Sequence, residues 1–365
     1  MANPSPPLVK GRGARSNASG RFNARASEAF DDGWTVEDPQ PQQLKTVVLP
    51  DKAKTIITRN TSPDIGFDRS INPYRGCEHG CIYCFARPNH AFLGLSPGLD
   101  FESKLFFKPE AATLLTAELS KKGYTPRPIQ IGADTDPYQP LERKLRVTRQ
   151  VLEVLQRFNH PLTLLTKSSL ISRDTDILGA MGRQGLARAA VSITSLDRGL
   201  ARSMEPRAAT PQRRLEAVRR LTDAGCPVTV MFAPVIPGLN DHELEAVLEA
   251  SAAAGATAAS WVMLRLPLEI GDLFQEWLAS DHPDRASRVM SLVRQTRRGK
   301  TYTAEWSVRG RGEGPIAALV ARRFEVARKR FGLDAPRVEL DLTRFRVPPR
   351  AGDQLDMFGS NGPSG

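Results

Sequence analysis

Five short apolar runs, each closed by a polar or Gly/Pro-rich stretch, constrain the fold of this chain more than any other feature. They read PIQIG at 128–132, PLTLLT at 161–166, AAVSIT at 189–194, PVTVMFAP at 227–234 and ASWVML at 259–264. Runs of this length are the pattern of strands buried in a parallel sheet. The segments between them carry helical spacing: Leu141, Leu145, Leu152, Leu155 and Phe158 fall on one face, as do Leu215, Val218 and Leu221 or Thr222. A third helix is expected from Asp241, as N-cap, to Gly255 just past its end. Strands alternating with helices make βα units with right-handed crossovers. One more strand, just before Cys77 or near Lys104, gives about six units, an α/β fold of the partial (β/α)6, TIM-like kind, open or closed. Chemistry in such folds sits at the C-terminal ends of the strands. Here those ends read GADTDP, TKSS, SITSLD and APVIPGLND, which are polar or rich in Gly and Pro.

The flanks differ from this core. Residues 1–60 are rich in Pro, Gly, Ser and Asn and are expected to form an extended, disordered N-terminal arm ahead of a core over 61–300. A basic strand-turn-helix extension is expected over 301–347: TYTAEWSV at 301–308 as a strand, RGRGEGP as a Gly-rich turn, and a helix over 315–331 between Pro315 and Gly332. The Gly-rich turn departs from G-x-G-x-x-G by one residue and lacks G-K-[ST], so a nucleic-acid phosphate suits it better than a bound nucleotide. Residues 348–365 read as a flexible tail.

Charge separates the extension further. The 365 residues carry 51 Lys+Arg and 40 Asp+Glu, a net +11, and residues 285–350 alone hold 17 basic against 6 acidic residues. The whole excess therefore lies in that segment, which is the electrostatic footprint of a polyanion partner such as nucleic acid, set against ordinary solvated helix faces. A hydrophobic fraction of 40% excludes a disordered chain, and no apolar run approaches the roughly 18 residues of a membrane span. MANPSPPLVKGRGARS has no apolar secretory core, and four cysteines are too few for a disulfide scaffold, so a cytoplasmic location is expected.

Three of those cysteines, Cys77, Cys81 and Cys84, lie within CEHGCIYC. Three thiolates so close in a reducing compartment call for a soft metal or a cluster. Zinc favours paired cysteines and four ligands; no second pair exists here, although His79 and His90 are each placed to supply a nitrogen.

The Cys-x3-Cys-x2-Cys spacing, with Tyr83 before the last cysteine, resembles the signature loop of radical S-adenosylmethionine (radical SAM) enzymes. SINPYRGCEHGCIYCFARPNH, GADTDPYQPLE and SLDRGLARSMEPRAATPQRRLEAV resemble the spore photoproduct lyase-like, "DNA repair photolyase" branch of that superfamily, over about residues 60–265. The resemblance implies a 4Fe–4S cluster on the three thiolates, with one iron left for the amino and carboxylate groups of S-adenosyl-L-methionine. Reductive cleavage then gives a 5′-deoxyadenosyl radical, in a lyase or modifying enzyme of DNA repair or modification. It further implies an electron donor such as flavodoxin or ferredoxin. By the same resemblance Tyr83 lies against the adenine and Asp134 and Asp136 lie near the methionine amino group or substrate. Lys167 and Ser192 line the pocket, Glu205 approaches the ribose hydroxyls and Arg207 the carboxylate. The bland readings are turn or cap aspartates before Pro137, a solvated Lys167, and a Glu205–Arg207 pair on a helix end.

Two departures count. Spore photoproduct lyase uses an additional cysteine after the cluster as hydrogen donor, whereas no cysteine lies here between Cys84 and Cys226. Cys226 precedes a strand start, opposite the expected site, and reads as a buried structural thiol. The tail holds Gln354, Leu355, Met357 and Phe358, which resemble the peptide that docks repair proteins on the DNA sliding clamp. The alternatives are the same chemistry on a protein, RNA or small molecule, or a non-enzymatic nucleic-acid-binding protein with structural zinc.

Overall fold

A computed structural model describes residue 9 and residues 11–22, 44–336 and 338–349. The main sheet has seven strands in the linear order β10-β9-β8-β7-β6-β3-β2. β3 (Arg69–Ile71), β6 (Ile129–Ile131), β7 (Leu162–Thr166), β8 (Ala187–Ser192), β9 (Val228–Val235) and β10 (Ala258–Met263) run parallel. β2 (Thr58–Arg59) closes one edge antiparallel to β3. All five apolar runs are strands, and the sixth parallel strand is the one before Cys77. The candidate near Lys104 is β5 (Lys104–Phe107), which joins a separate three-stranded sheet between β1 (Val47–Pro50) and β4 (Tyr74–Arg75).

One face of the main sheet packs against helices and is fully buried, with Ile129, Ile131, Leu162, Leu164, Val191, Val230 and Phe232 in its core. On the other face, alternating residues of β8, β9 and β10 such as Ala190, Met231 and Ser260 are only half-buried. Because strand side chains alternate between faces, this pattern marks a second face left partly open.

The expected helix through Leu141–Phe158 is two helices, Glu142–Leu145 and Val147–Arg157, broken where Arg146 takes φ 53°. The Glu142 carboxylate accepts from the Thr148 N–H at 3.0 Å and so caps the second helix from inside the break. The helix expected from Asp241 starts as a 3-10 turn and continues over Leu244–Ala253, with Gly255 past its end at φ 97°.

Residues 301–308 are not a strand, which corrects the expectation for TYTAEWSV: they are irregular and enter a short helix, Val308–Arg311. Part of the free edge of β10 is met by Asp334, bridged to Ala258, and the Arg311 guanidinium donates to the Trp261 carbonyl at 2.9 Å. The β-favouring residues at 301–303 therefore have no partner strand, and propensity alone does not form one. The helix after the Gly-rich turn is present as Gly314–Arg330, packed against Leu244–Ala253 with Phe324 on Trp261.

Residues 11–22, within the expected arm, are irregular as foreseen but are packed down. Ala14 is buried, and the Gly13 and Ala14 N–H groups donate to the Glu102 carboxylate at 2.9 and 2.8 Å. Arg15 pairs with Asp281, and the Ser16 hydroxyl donates to Glu276.

Candidate active site at the cysteine loop

The loop carrying the cysteines leaves β4 and crosses the C-terminal end of the main sheet. Two glycines shape it. Gly76 has φ 71°, and a Cβ there would lie 2.7 Å from Leu105; Gly80 has φ 68°, and a Cβ would lie 2.7 Å from a Glu102 oxygen. Left-handed backbone with no room for a side chain admits only glycine at low cost.

Cys77, Cys81 and Cys84 lie within electrostatic reach of one another, and burial pushes all three thiols up. Among the described residues no three His, Cys, Asp or Glu side chains converge tightly enough for a single metal ion. A tetrahedral zinc with bonds of about 2.3 Å would need thiolates roughly 3.8 Å apart. A polynuclear cluster spreads its ligands over different irons.

The two candidate fourth ligands differ. His90 Nε2 bonds the Lys104 carbonyl at 3.0 Å, the ring is wedged against Phe101, and burial lowers its pKa to about 4. His79 places Nδ1 3.3 Å from Asp136. The Cys3His reading therefore loses His90, whereas a carboxylate behind Nδ1 leaves the other ring nitrogen of His79 available.

The loop is held from behind by groups that the sequence does not mark. Arg87, fully buried, donates to the carbonyls of Cys81 (2.9 Å), Gly80 (3.2 Å), Pro97 and Gly98 and pairs with buried Glu102 at 2.5 Å. The Gln139 amide oxygen accepts from the Glu78 N–H at 2.9 Å, and its nitrogen donates to the Gly76 carbonyl.

The expected site residues gather above the strand ends. Asp134 and Asp136 follow β6, Lys167 follows β7, and Ser192 ends β8. Asp134 accepts from the Asn89 amide at 2.7 Å, and burial raises its carboxyl to about 6. Asp136 behaves oppositely. Burial alone would raise it, but His79, the Lys167 N–H and the Thr166 hydroxyl hold it at about 2. Its oxygens also cap Tyr138, so it ties two strand ends to the cysteine loop. The Lys167 ammonium lies 5.7 Å from the centre of the Tyr83 ring. Burial would lower its pKa, but the neighbouring Cys81 sulfur and Glu205 carboxylate keep it raised.

Glu205 is buried and accepts from the Tyr83 hydroxyl, from Thr194 at 2.8 Å and from Arg214. Arg214, absent from the sequence-derived set, also donates to the Ser192 carbonyl at 3.0 Å. Its only sequence signal is a charged residue on the buried face of the helix Pro211–Asp223. Glu205 does not pair with Arg207; Arg207 reaches Glu78 on the cysteine loop at 3.2 Å. Cys226 is buried just before β9, and burial pushes its thiol up to about 12.

The basic segment is more neutralised than its composition conveys. Arg309 pairs with Asp64, Arg323 with Glu245 and Arg298 with Glu305 and Glu313. Arg294, Lys300, Arg322 and Lys329 have no ion pair among the described residues. The tail residues Gln354, Leu355, Met357 and Phe358 lie outside the described residues.

No helix among the described residues is long and apolar enough to cross a membrane. The chain is 36% identical over 231 residues to an uncharacterized protein of Mycobacterium tuberculosis, covering 63% of this chain and 68% of the relative. It is 26% identical over 199 residues to an uncharacterized protein of Methanocaldococcus jannaschii, covering 54% and 71%. A solved structure of a spore photoproduct lyase mutant has the same fold, with a TM-score of 0.55 at 15% identity over 79% of this chain and 80% of that one. The model of the radical SAM superfamily matches residues 71–250, spanning the cysteine loop and the strand ends above which the site gathers. The chain belongs to the radical SAM superfamily and is an enzyme of it.

Proposed function

We propose that this radical SAM enzyme assembles a 4Fe–4S cluster on Cys77, Cys81 and Cys84, cleaves S-adenosyl-L-methionine beside it, and acts on nucleic acid. The reading is carried by three sulfurs on one glycine-shaped loop, those of Cys77 and Cys81 buried and that of Cys84 half-buried, with His90 bonded to the Lys104 carbonyl. Three protein ligands leave one iron of a cubane open to a small molecule. When bound, the cluster supplies one electron to the sulfonium of S-adenosylmethionine, giving methionine and a 5′-deoxyadenosyl radical that takes a hydrogen atom from substrate.

The chain's own residues bind and orient. The raised thiols must lose protons as metal enters, so loading releases protons and is favoured by Lys167 beside Cys81. Tyr83, fixed by Glu205, presents a ring wall for adenine, and Asp134 faces the pocket as an acceptor for the methionine ammonium. Arg87 and Glu102 hold the loop's shape and exclude water behind it.

Nucleic acid is favoured as substrate by the basic segment and by Arg294, Lys300, Arg322 and Lys329, which have no ion pair among the described residues. The chain carries no cysteine between Cys84 and Cys226, so a thiol hydrogen donor like that of spore photoproduct lyase has no counterpart there.

The test is anaerobic reconstitution with iron and sulfide, then reductant and S-adenosylmethionine, with and without a DNA oligonucleotide. The expected result is 5′-deoxyadenosine from the wild type and none from Cys81→Ala, together with a mass change in the DNA. No 5′-deoxyadenosine above the variant background rejects the chemistry. Production with DNA left unaltered rejects the substrate.

A further inference from the structure

We infer that Arg265 and Phe85, backed by Arg297, form a subsite for one nucleotide unit at the rim of the site, the guanidinium taking a phosphodiester and the ring taking the adjoining base. The inference rests on the nucleic-acid reading above and places one contact of that substrate.

Arg265 lies two residues beyond β10, and Phe85 directly follows the last cysteine of the loop. The Arg265 guanidinium is 5.2 Å from the centre of the Phe85 ring, so the far edge of the sheet and the cysteine loop meet at this pair. Arg265 has no hydrogen bond or ion pair among the described residues, and its Nε is buried without a partner. Its neighbour Arg297 is 1% exposed and spends its NH groups on the carbonyls of Leu264, Val308 and Arg309, with its Nε also unpartnered. Burial and the adjacent Arg265 charge lower Arg297 to about 10.

Two guanidiniums thus share one strand end, and among the described residues neither has a carboxylate ion pair. That arrangement is costly in isolation and becomes favourable when an anion arrives, because the cost of desolvating the charges is already met. Arg21 is a contrast: it covers Phe22 and Phe92 at 4.6 and 5.2 Å but is neutralised by Glu269 at 3.1 Å.

Phe85 is 46% exposed, so its ring is open to a partner. A π-face next to an unpaired guanidinium matches a nucleotide, which offers a stacking base and a phosphate a few ångströms apart. An acidic peptide would use the charge and leave the ring uncovered.

The experiment is fluorescence anisotropy of the anaerobically reconstituted protein with a labelled single-stranded DNA of about 15 nucleotides, repeated between about 50 and 200 mM salt. Arg265→Ala is expected to weaken binding and to reduce the slope of log affinity against log salt by about 0.7. Phe85→Ala is expected to weaken binding roughly 5- to 100-fold with the slope kept, and Phe85→Trp to restore it. Wild-type affinity and slope in both alanine variants overturns the subsite while leaving the nucleic-acid reading standing. Phe85→Trp binding as weakly as Phe85→Ala, at an unchanged melting temperature, overturns the stacking role. A wild type that shows no salt-dependent binding overturns the nucleic-acid reading, and the subsite with it.

Discussion

Arg87 and Glu102 carry opposite charges, are sealed from solvent, and touch the cysteine loop only through its backbone. Removing one partner of such a pair leaves an uncompensated buried charge, which costs about 3–5 kcal/mol. Glu102→Gln is therefore expected to lower unfolding free energy by that order in a denaturant titration and to reduce iron loading at fixed temperature; unchanged loading would show that the pair does not shape the loop. Tyr83→Phe removes only the hydroxyl bonded to Glu205. It is expected to leave the iron content intact while weakening S-adenosylmethionine binding by up to about 10-fold, read by equilibrium dialysis. The sequence marks residues of one kind well. Cys77, Cys81 and Cys84 declare themselves by spacing, and Asp134, Asp136, Lys167 and Ser192 by standing at strand ends. It does not mark Glu102, whose partners are Arg87 and the backbone of Gly13 and Ala14, because nothing local signals a contact across some ninety residues.

The arm and the loop meet as elements where glycine faces backbone. A Cβ on Gly13 would lie 1.8 Å from the Gly80 carbonyl oxygen, so any side chain there drives residues 11–22 away from the loop. Gly13→Ala is expected to open the Arg12 and Arg15 bonds to trypsin under conditions in which the wild type resists, and to lower the iron retained on gel filtration. Equal digestion rates would mean that the arm's packing is incidental. Composition pointed to an extended arm and could not reveal that it packs, because Pro, Gly and Ser set backbone freedom and say little about docking. The strand expected at 301–308 failed for a related reason: β propensity is realised only against a neighbouring strand, and Asp334 and Arg311 meet the edge of β10 instead. The five apolar runs succeeded because burial on the helix-covered face demands them in any register.

For the molecule as a whole, two buried histidines set the response to acid. His160 bonds the Tyr124 hydroxyl at 2.8 Å and the Pro161 carbonyl at 3.0 Å, and burial holds both His160 and His90 near a pKa of about 4. Because these values lie below the unfolded value, the unfolded chain binds more protons. The stability they contribute is complete above about pH 6.5 and is lost as pH falls toward 4, roughly 3 kcal/mol for each. Asp134, raised to about 6, works the other way and offsets part of the trend. The melting temperature of the apoprotein is expected to fall between pH 7 and pH 4.5, and a flat profile would contradict the buried neutral histidines. On the proposed function, the loop, arm and strand ends together support three sulfurs that hold a cluster whose remaining iron accepts S-adenosylmethionine. Electron paramagnetic resonance of the reduced, reconstituted protein tests it most directly. The expected result is a 4Fe–4S signal that changes shape when S-adenosylmethionine is added and is absent in Cys81→Ala; a signal indifferent to S-adenosylmethionine, or a protein that takes up zinc in place of iron and sulfide, would contradict the three-sulfur cluster.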